Sequence, residues 1–382
     1  MERRDSFQDN KKIIMIKGLF KLSILDRYII GKYVTTFLFT LILLSVVAVV
    51  FDLAERIEKF ISKNIGFWEI TRDYYFNFIP WINSLLFPLY ALITVIFFTA
   101  RMADQTEIIP MLSAGISFKR ILKPFVLAAS LFTLIHLIGN HIVVPRGNKT
   151  LKNFENKYIK SGNIYQKDKN VHIYVAPNVE AFIHYFQVYD SSGTDFQLRK
   201  YEDTKVVQIL TARQIKWKSL PHIWEISDYE IRTFIDSSET FDVFRGEKLD
   251  SSINLQVSDF VILTNKKDMM PTAELNQFII REQEKGSGIT RLYEVEKHRR
   301  TADPFTTLIL SIIGACIATR KVRGGLGLHL AFGIILGVVF IFLSKLSLTF
   351  ANNEIMPPIV AVWIPNFVFS FVALYLYNKA QK

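Results

Sequence analysis

Six apolar runs, at 33–53, 74–100, 121–144, 304–319, 326–350 and 357–377, restrict this chain more than any other feature of its sequence. Each is near or above the length of about 20 mostly apolar residues that carries a helix across a bilayer. In hydrocarbon every backbone N–H and C=O needs a partner within the segment, so such runs fold as helices. The fourth is the shortest, bounded by Asp303 and Arg320. Composition agrees: half of the residues are hydrophobic and 32 are phenylalanine, the balance of a membrane protein with a water-soluble portion.

The formal charge of +11 does not point to nucleic acid, because the basic residues flank apolar runs and do not gather on a separable domain. Arg3, Arg4, Lys11, Lys12, Lys17, Lys21, Arg27 and Lys32 precede the first run with no small-residue cleavage site, the pattern of an uncleaved anchor. Loops rich in Lys and Arg stay in the cytoplasm. The amino-terminal segment, the 101–120 loop with Arg101, Lys119 and Arg120, the RKVRGG turn at 320–325, and the tail with Lys379 and Lys382 fall on one side. Both termini are therefore expected inside, with the Lys- and Arg-free ANNEIMPP loop outside. Arg56, Lys59, Lys63 and Arg72 in the first outer loop run against the rule, so the orientation rests on the other loops.

Between the third and fourth runs lies one large soluble region, external in this topology. From 170 to 254 it alternates as half-buried strands do, in VHIYVAPN, EAFIHYFQVYD, TKVVQILTARQIKWK, HIWEISDYEIRTF and ETFDVFRG, with turn chemistry in DSSG (190–193) and KSLPH (218–222). A sheet of this kind becomes a sandwich, a barrel or an open half-roll. The period then changes. TAELNQFIIREQEKGSG and ITRLYEVEKHRRTA predict two helices, the first capped by Thr272, with Glu274 and Glu282 near its turns, and ended by Gly286 and Gly288. The expected organisation is a membrane half at 1–144, a β domain at 145–270, a helical connector at 271–302 and a second membrane half at 303–382.

Catalytic chemistry is not signalled. The chain has no Gly-x-x-x-x-Gly-Lys-Ser/Thr phosphate loop, no His-Glu-x-x-His zinc motif and no Gly-x-Ser-x-Gly elbow. His136 and His141 stand five apart, off the spacing that places two ligands on one helical face, and fit polar residues facing a neighbouring helix. The single cysteine, Cys316, excludes an intramolecular disulfide and a Cys-based metal cluster. No metal or other cofactor is implied, and no chain of buried carboxylates suggests a proton drive. A membrane mover of this kind needs an engine supplied by another protein.

TEIIPMLSAGISFKR, at 106–120, suits that need. Ile108, Ile109, Leu112 and Ile116 form an apolar stripe near the helical period. Such a helix docks in a groove of a soluble partner, with Glu107 offered to a basic residue and Gly115 turning the chain toward the third run. A helix resting on lipid headgroups fits the same pattern. Pro110 suits either if it lies in the first turn. Lys345, within the outer third of the fifth run, either snorkels or meets a substrate anion. Arg56, Lys59 and Lys63 form either a solvated face or a second anion contact. Pro365 and Asn366 in WIPN predict a kink.

The segment resembles the cytoplasmic coupling helix of the LptF/LptG (YjgP/YjgQ) permease family, the membrane subunits of the lipopolysaccharide export ABC transporter. ILDRYIIGKYVTTFL (24–38), DPFTTLILSIIGACIATRKVRGGLGLHLAFGI (303–334) and MPPIVAVWIPNFVFSFVALYLY (356–377) resemble its opening, its fourth and fifth spans, and its last. Pro110 departs from the ordinary helix former expected at that place. The resemblance implies a polytopic helical inner-membrane protein of a Gram-negative bacterium with an inserted periplasmic, jelly-roll-like all-β domain. It implies pairing with a second permease subunit, two copies of an LptB-like ATPase, and LptC/LptA-like periplasmic bridge proteins, with lipopolysaccharide as substrate. The implied coupling residues are Thr106, Glu107, Ile108, Leu112, Ser113, Ala114, Gly115 and Ile116. The first and fifth spans are implied as lateral gates, with Gly327, Ala331, Gly333 and Gly337 permitting close packing. Arg56, Lys59, Lys63 and Lys345 are the basic residues placed to meet lipid A phosphates, and Lys59 is the position carried over from the family. Two other functions compete: a four-span lipoprotein-releasing permease, against which six spans divided three and three argue, and a non-transporting receptor with an external sensor domain.

Overall fold

The computed structural model describes residues 22–159, 165–166, 169–187, 189–203, 205–219, 222–235, 238–259, 261–262, 266–286, 290–319 and 325–380. The most amino-terminal basic residues, Lys382, residues 320–324 of the RKVRGG turn, two positions of KSLPH and Gly288 lie outside them.

Helix α1 (Ile24–Ser62) opens with a capping box: the Ser23 hydroxyl accepts from the Asp26 N–H and the Asp26 carboxylate accepts from the Ser23 N–H. At 1.5 Å per residue its 39 residues extend well beyond a hydrocarbon layer of about 30 Å, so both ends project. Helix α2 (Phe67–Asp104) includes a π-helical stretch, Ile70–Tyr75. A short α3 (Ile108–Ser113) leads to α4 (Phe118–Ile159), which continues past the apolar run as an amphipathic extension. There Leu151 and Phe154 are buried against Phe60, Tyr74 and Phe78.

The inserted region contains β1 (Tyr165–Gln166), β2 (Lys169–Ala176), β3 (Val179–Gln187), β4 (Ser192–Glu202), β5 (Lys205–Ser219), β6 (Ile223–Ile235), β7 (Ser238–Ser252) and β8 (Val261–Ile262). Strands β2 to β7 form one antiparallel sheet in sequence order, and β1 pairs with β8 at the neck of the insertion. Among the described residues β2 and β7 are free edges, so of the three sheet forms this is the open half-roll. Its inner face carries Val171, Ile183, Phe186, Phe196, Ile215, Trp224 and Ile226. The Trp224 indole donates to the Leu255 carbonyl at 3.0 Å. The DSSG turn is shorter than expected, because Ser192 and Gly193 already belong to β4. A Cβ on Gly193 would stand 2.9 Å from Ile183 Cγ2 and 3.0 Å from Ile215 Cγ2, so the strand needs glycine there.

A single turn, α5 (Lys266–Met269), precedes α6 (Thr272–Glu284). Pro271, not Thr272, is the N-cap; the Thr272 hydroxyl lies 2.9 Å from His141 Nδ1 on α4 and ties the connector to the bundle. Gly286 ends the connector helix at φ +71°, the left-handed conformation that favours glycine. The second connector helix and the fourth span are one continuous helix, α7 (Thr290–Ala318), running through Pro304. Helices α8 (Gly325–Asn352) and α9 (Pro358–Ala380) complete the bundle.

Helices α2 and α7 are its centre. In their most apolar stretches 61 % of residues are buried by the rest of the chain, against 11 % in α1 and 17 % in α8. Lipid tails are as apolar as leucine, so side-chain fit and interhelical hydrogen bonds hold such bundles together. Phe37 stacks on Phe132 with ring centroids 4.1 Å apart. The Tyr33 hydroxyl donates to Ser311 at 2.7 Å, because the Ser311 proton goes to the Thr307 carbonyl. Asn366 of WIPN accepts from Thr306 at 2.7 Å and donates to the Ala302 carbonyl at 2.8 Å. Its carboxamide joins α9 to α7.

Candidate coupling and substrate-contact regions

Chain direction sorts the loops. The start of α1, the α2–α4 connection, the α7–α8 turn and the end of α9 lie at one end of the bundle. The α1–α2 and α8–α9 turns and the β domain lie at the other.

At the first end, Thr106 takes a left-handed backbone conformation, φ +60°, and leads into α3. Gly115, at φ +82°, leads out of it. The apolar stripe divides between two environments. Ile108 is buried with Ile29, Tyr33 and Phe118, and Ile116 packs partly against the same cluster. Leu112 is 43 % exposed, and Ser113, Ala114 and Gly115 are exposed beside it. The Ile109 side chain is outside the described positions. Pro110 is the third residue of the helix, within the first turn, where its missing N–H costs nothing.

Glu107 finds its basic partner within the chain. Its carboxylate accepts from the Tyr28 hydroxyl at 2.8 Å and from Lys32 Nζ at 3.1 Å, both on α1. At the other flank of the segment the Arg120 guanidinium forks onto Asp26, with one contact at 2.9 Å, and also reaches Ser23 Oγ at 2.7 Å. Asp26 is 2 % exposed and lies before the first apolar run. Arg120, aided by the bonds from Ser23, holds its carboxyl down at about 2. Counting positive charges for orientation includes Lys32 and Arg120 but not their partners, which are 75 and 94 residues away in the chain. The available signal was a carboxylate and a lysine on the last turns before an apolar run.

At the opposite end, Arg56 donates to Asp52 at 2.9 Å, approaches Glu155 at 3.5 Å and lies over the Tyr74 ring. The Tyr74 hydroxyl also donates to Asp52, at 2.9 Å. Arg56 thus joins α1, α2 and α4, with its charge balanced by two carboxylates. Lys59, Lys63 and Lys345 are exposed.

The four small residues of α8 also divide. A Cβ on Gly337 would stand 2.8 Å from Leu89 Cδ2, and one on Gly333 would collide with Ile96 Cδ1. Both glycines seat α8 on α2. Gly327 has no neighbour within 4 Å of where its Cβ would lie, and Ala331 is exposed. His136 stacks on Phe87 and faces the Thr307 hydroxyl at 3.3 Å, an interhelical contact within the bundle.

Six helices long and apolar enough to cross a membrane, divided by an antiparallel sheet, define a multi-pass membrane protein with an inserted β domain. The sequence profile described as "Lipopolysaccharide export system permease LptF/LptG" matches residues 27–379, nearly the whole chain, and the protein belongs to that family. It is accordingly an inner-membrane transport component. Comparison with curated proteins returns no match.

Proposed function

We propose that the chain is one permease subunit of an ABC transporter that lifts lipopolysaccharide out of the inner membrane and passes it to a periplasmic bridge toward the outer membrane. A separate LptB-like ATPase, in two copies, supplies the energy, and a second LptF/LptG-type subunit completes the membrane unit. Both termini and the α2–α4 connection are cytoplasmic; the β domain is periplasmic, where LptC/LptA-like proteins take the lipid onward. The observation that carries this reading is the exposed tip Leu112–Gly115, held on an otherwise seated segment at the bundle end away from the β domain. A small apolar knob on a fixed base suits a groove in a soluble partner.

The substrate would enter laterally beside α1 and α8, the two helices least covered by the rest of the chain. Lys59, Lys63 and Lys345 are the exposed cations available to lipid A phosphates, while Arg56 is engaged in structure. Gly333 and Gly337 let α8 lie close to α2, and Gly327 and Ala331 face outward toward the second subunit.

Leu112→Glu tests the reading, because it places a charge on the tip without touching the core. Loss of ATPase copurification and of lipopolysaccharide release, at unchanged membrane level, is expected. Retention of both would remove the docking role of this tip; absence of both already in the wild-type chain would favour a receptor that needs no ATPase.

A further inference from the structure

We infer that Asp26, Lys32 and Arg120 are positioning residues of transport: their ion pairs make the coupling segment and the inner end of α1 one mechanical unit, so that a push on the segment moves α1. The inference deepens the reading above and rests on it. Its basis is where the segment is fastened. The segment is covalently continuous with α2 and α4, yet both of its flanks are tied by charge to α1. Glu107, just before α3, takes two donors from α1, Tyr28 and Lys32. Arg120, in the first turn of α4 at the far end of the segment, takes Asp26 and Ser23 from the first turn and cap of α1.

Apolar packing repeats the arrangement. Asp26, Ile29, Tyr33 and Phe37 recur at three- and four-residue spacing and are all buried, Ile29, Tyr33 and Phe37 in the cluster that holds Ile108, Phe118 and Ile121. Beyond Phe37 one face stays in contact, with Leu41 and Leu44 partly buried, Ser45 meeting Asn83 Oδ1 at 2.9 Å and Ala48 and Val49 beside the outer cluster, while Phe39, Ile42, Val46, Val50 and Phe51 on the other faces are more than half exposed. Charged contacts return at the outer end, where Asp52 and Arg56 meet Tyr74 and Glu155. A helix packed along one narrow face, with ion pairs at its two ends, tilts on that face when one charged anchor is displaced. Here the inner anchor is the coupling segment itself.

Charge also fixes the register of the connection. A bundle held there by apolar contacts alone would let the segment slide on α1, whereas forked, charge-assisted bonds fix distance and direction. Arg120 is suited to this, because a lysine cannot make the same two-pronged contact with Asp26 and still reach Ser23.

The test uses full-length protein assembled with its second subunit and ATPase in proteoliposomes, measuring ATPase retention and lipopolysaccharide released per ATP hydrolysed. Arg120→Glu sets two carboxylates face to face; retained ATPase with at least a tenfold fall in lipid released per ATP is expected. Arg120→Lys should fall two- to threefold, and the exchange Asp26→Lys with Arg120→Glu should recover at least half of the wild-type ratio. Lys32→Met, a milder change at a partly exposed position, guards against misfolding of the first variant and should lower the ratio several-fold at normal protein level. A wild-type ratio in both Arg120→Glu and Lys32→Met would overturn the inference. So would loss of ATPase binding in step with transport, which would reduce the pairs to a frame for the docking surface. Wild-type protein that retains no ATPase would instead refute the permease reading on which the inference stands.

Discussion

Arg300 offers the sharpest test of how the connector is joined to the membrane bundle. Only 3 % exposed, it donates Nε to Glu296 at 3.0 Å, Nη1 to the Met270 carbonyl at 2.7 Å and Nη2 to the Lys267 carbonyl at 2.8 Å. One guanidinium therefore gathers α5, the start of α6 and α7. Arg300→Met keeps most of the stem's volume and removes every donor. Breaking a buried charge pair by deleting one partner costs about 3–5 kcal/mol. Glu296 keeps Arg299 at 2.9 Å, so the low end, about 3 kcal/mol, applies. At 1.4 kcal/mol per factor of ten, the equilibrium between docked and undocked connector shifts by roughly two orders of magnitude. Hydrogen exchange reads this locally: amides of 266–284 should lose protection by about that factor while those of α2 stay unchanged. Arg300→Lys, which keeps the charge but cannot fork to two carbonyls, should fall between. Exchange in 266–284 within threefold of wild type for Arg300→Met would refute the assignment of this residue as the joint.

Gly337→Leu should cost about 1–3 kcal/mol by overpacking against Leu89, lowering the melting temperature of the detergent-solubilised protein, whereas Gly327→Leu, into open space, should not. A cysteine replacing Tyr189, fully exposed in the β domain, should react with a membrane-impermeant thiol reagent in spheroplasts, and one replacing Ser113 should not; the buried Cys316 gives little background, and the reverse pattern would invert the topology. Lys59→Glu combined with Lys345→Glu should reduce photocrosslinking to lipopolysaccharide several-fold with ATPase association intact; unchanged crosslinking would leave both lysines as solvated or snorkelling groups. Because the Asp26 pKa is lowered to about 2 from an ordinary 3.8, its contribution to stability is complete above pH 3.8 and is lost only as pH falls through about 2. Lipid released per ATP should therefore be insensitive to protonation of this group between pH 5 and 8; a transport step with a midpoint in that range that Asp26→Asn abolishes would refute it.

The membrane architecture was legible because bilayer thickness converts apolar length directly into a spanning helix, with no tertiary information required. Where the helices end was not legible for the same reason. The extension of α4 beyond residue 144 is held by Leu151 and Phe154 against Tyr74 and Phe78, a contact between distant segments that local periodicity does not contain. Asp303 bounded the fourth apolar run in the sequence; in the fold α7 passes through it and Pro304 and carries the connector into the membrane without a break. The β domain followed the alternation rule in its long strands. Strand β4 escaped separate notice because FQLRKYE mixes charges into the pattern, and its two neighbours in the sheet, β3 and β5, determine which of its residues are covered.

The coupling segment shows a different limit. Its family pattern and its apolar stripe located it, but the stripe implied one continuous docking face, and the fold spends Ile108 and Ile116 on the bundle and leaves Leu112 outside. The positive charges beside it were visible as orientation signals. That rule weighs Lys32 and Arg120 and gives the carboxylates little weight, since insertion responds to the number of Lys and Arg in a loop and not to its net charge. In the folded chain Asp26 and Glu107 determine what those cations do, turning two topology signals into the bonds that fasten the segment to α1. One set of charges can then serve two stages: orienting the helices during insertion, when Asp26 and Arg120 are still far apart, and aligning them afterwards, when folding has brought them together.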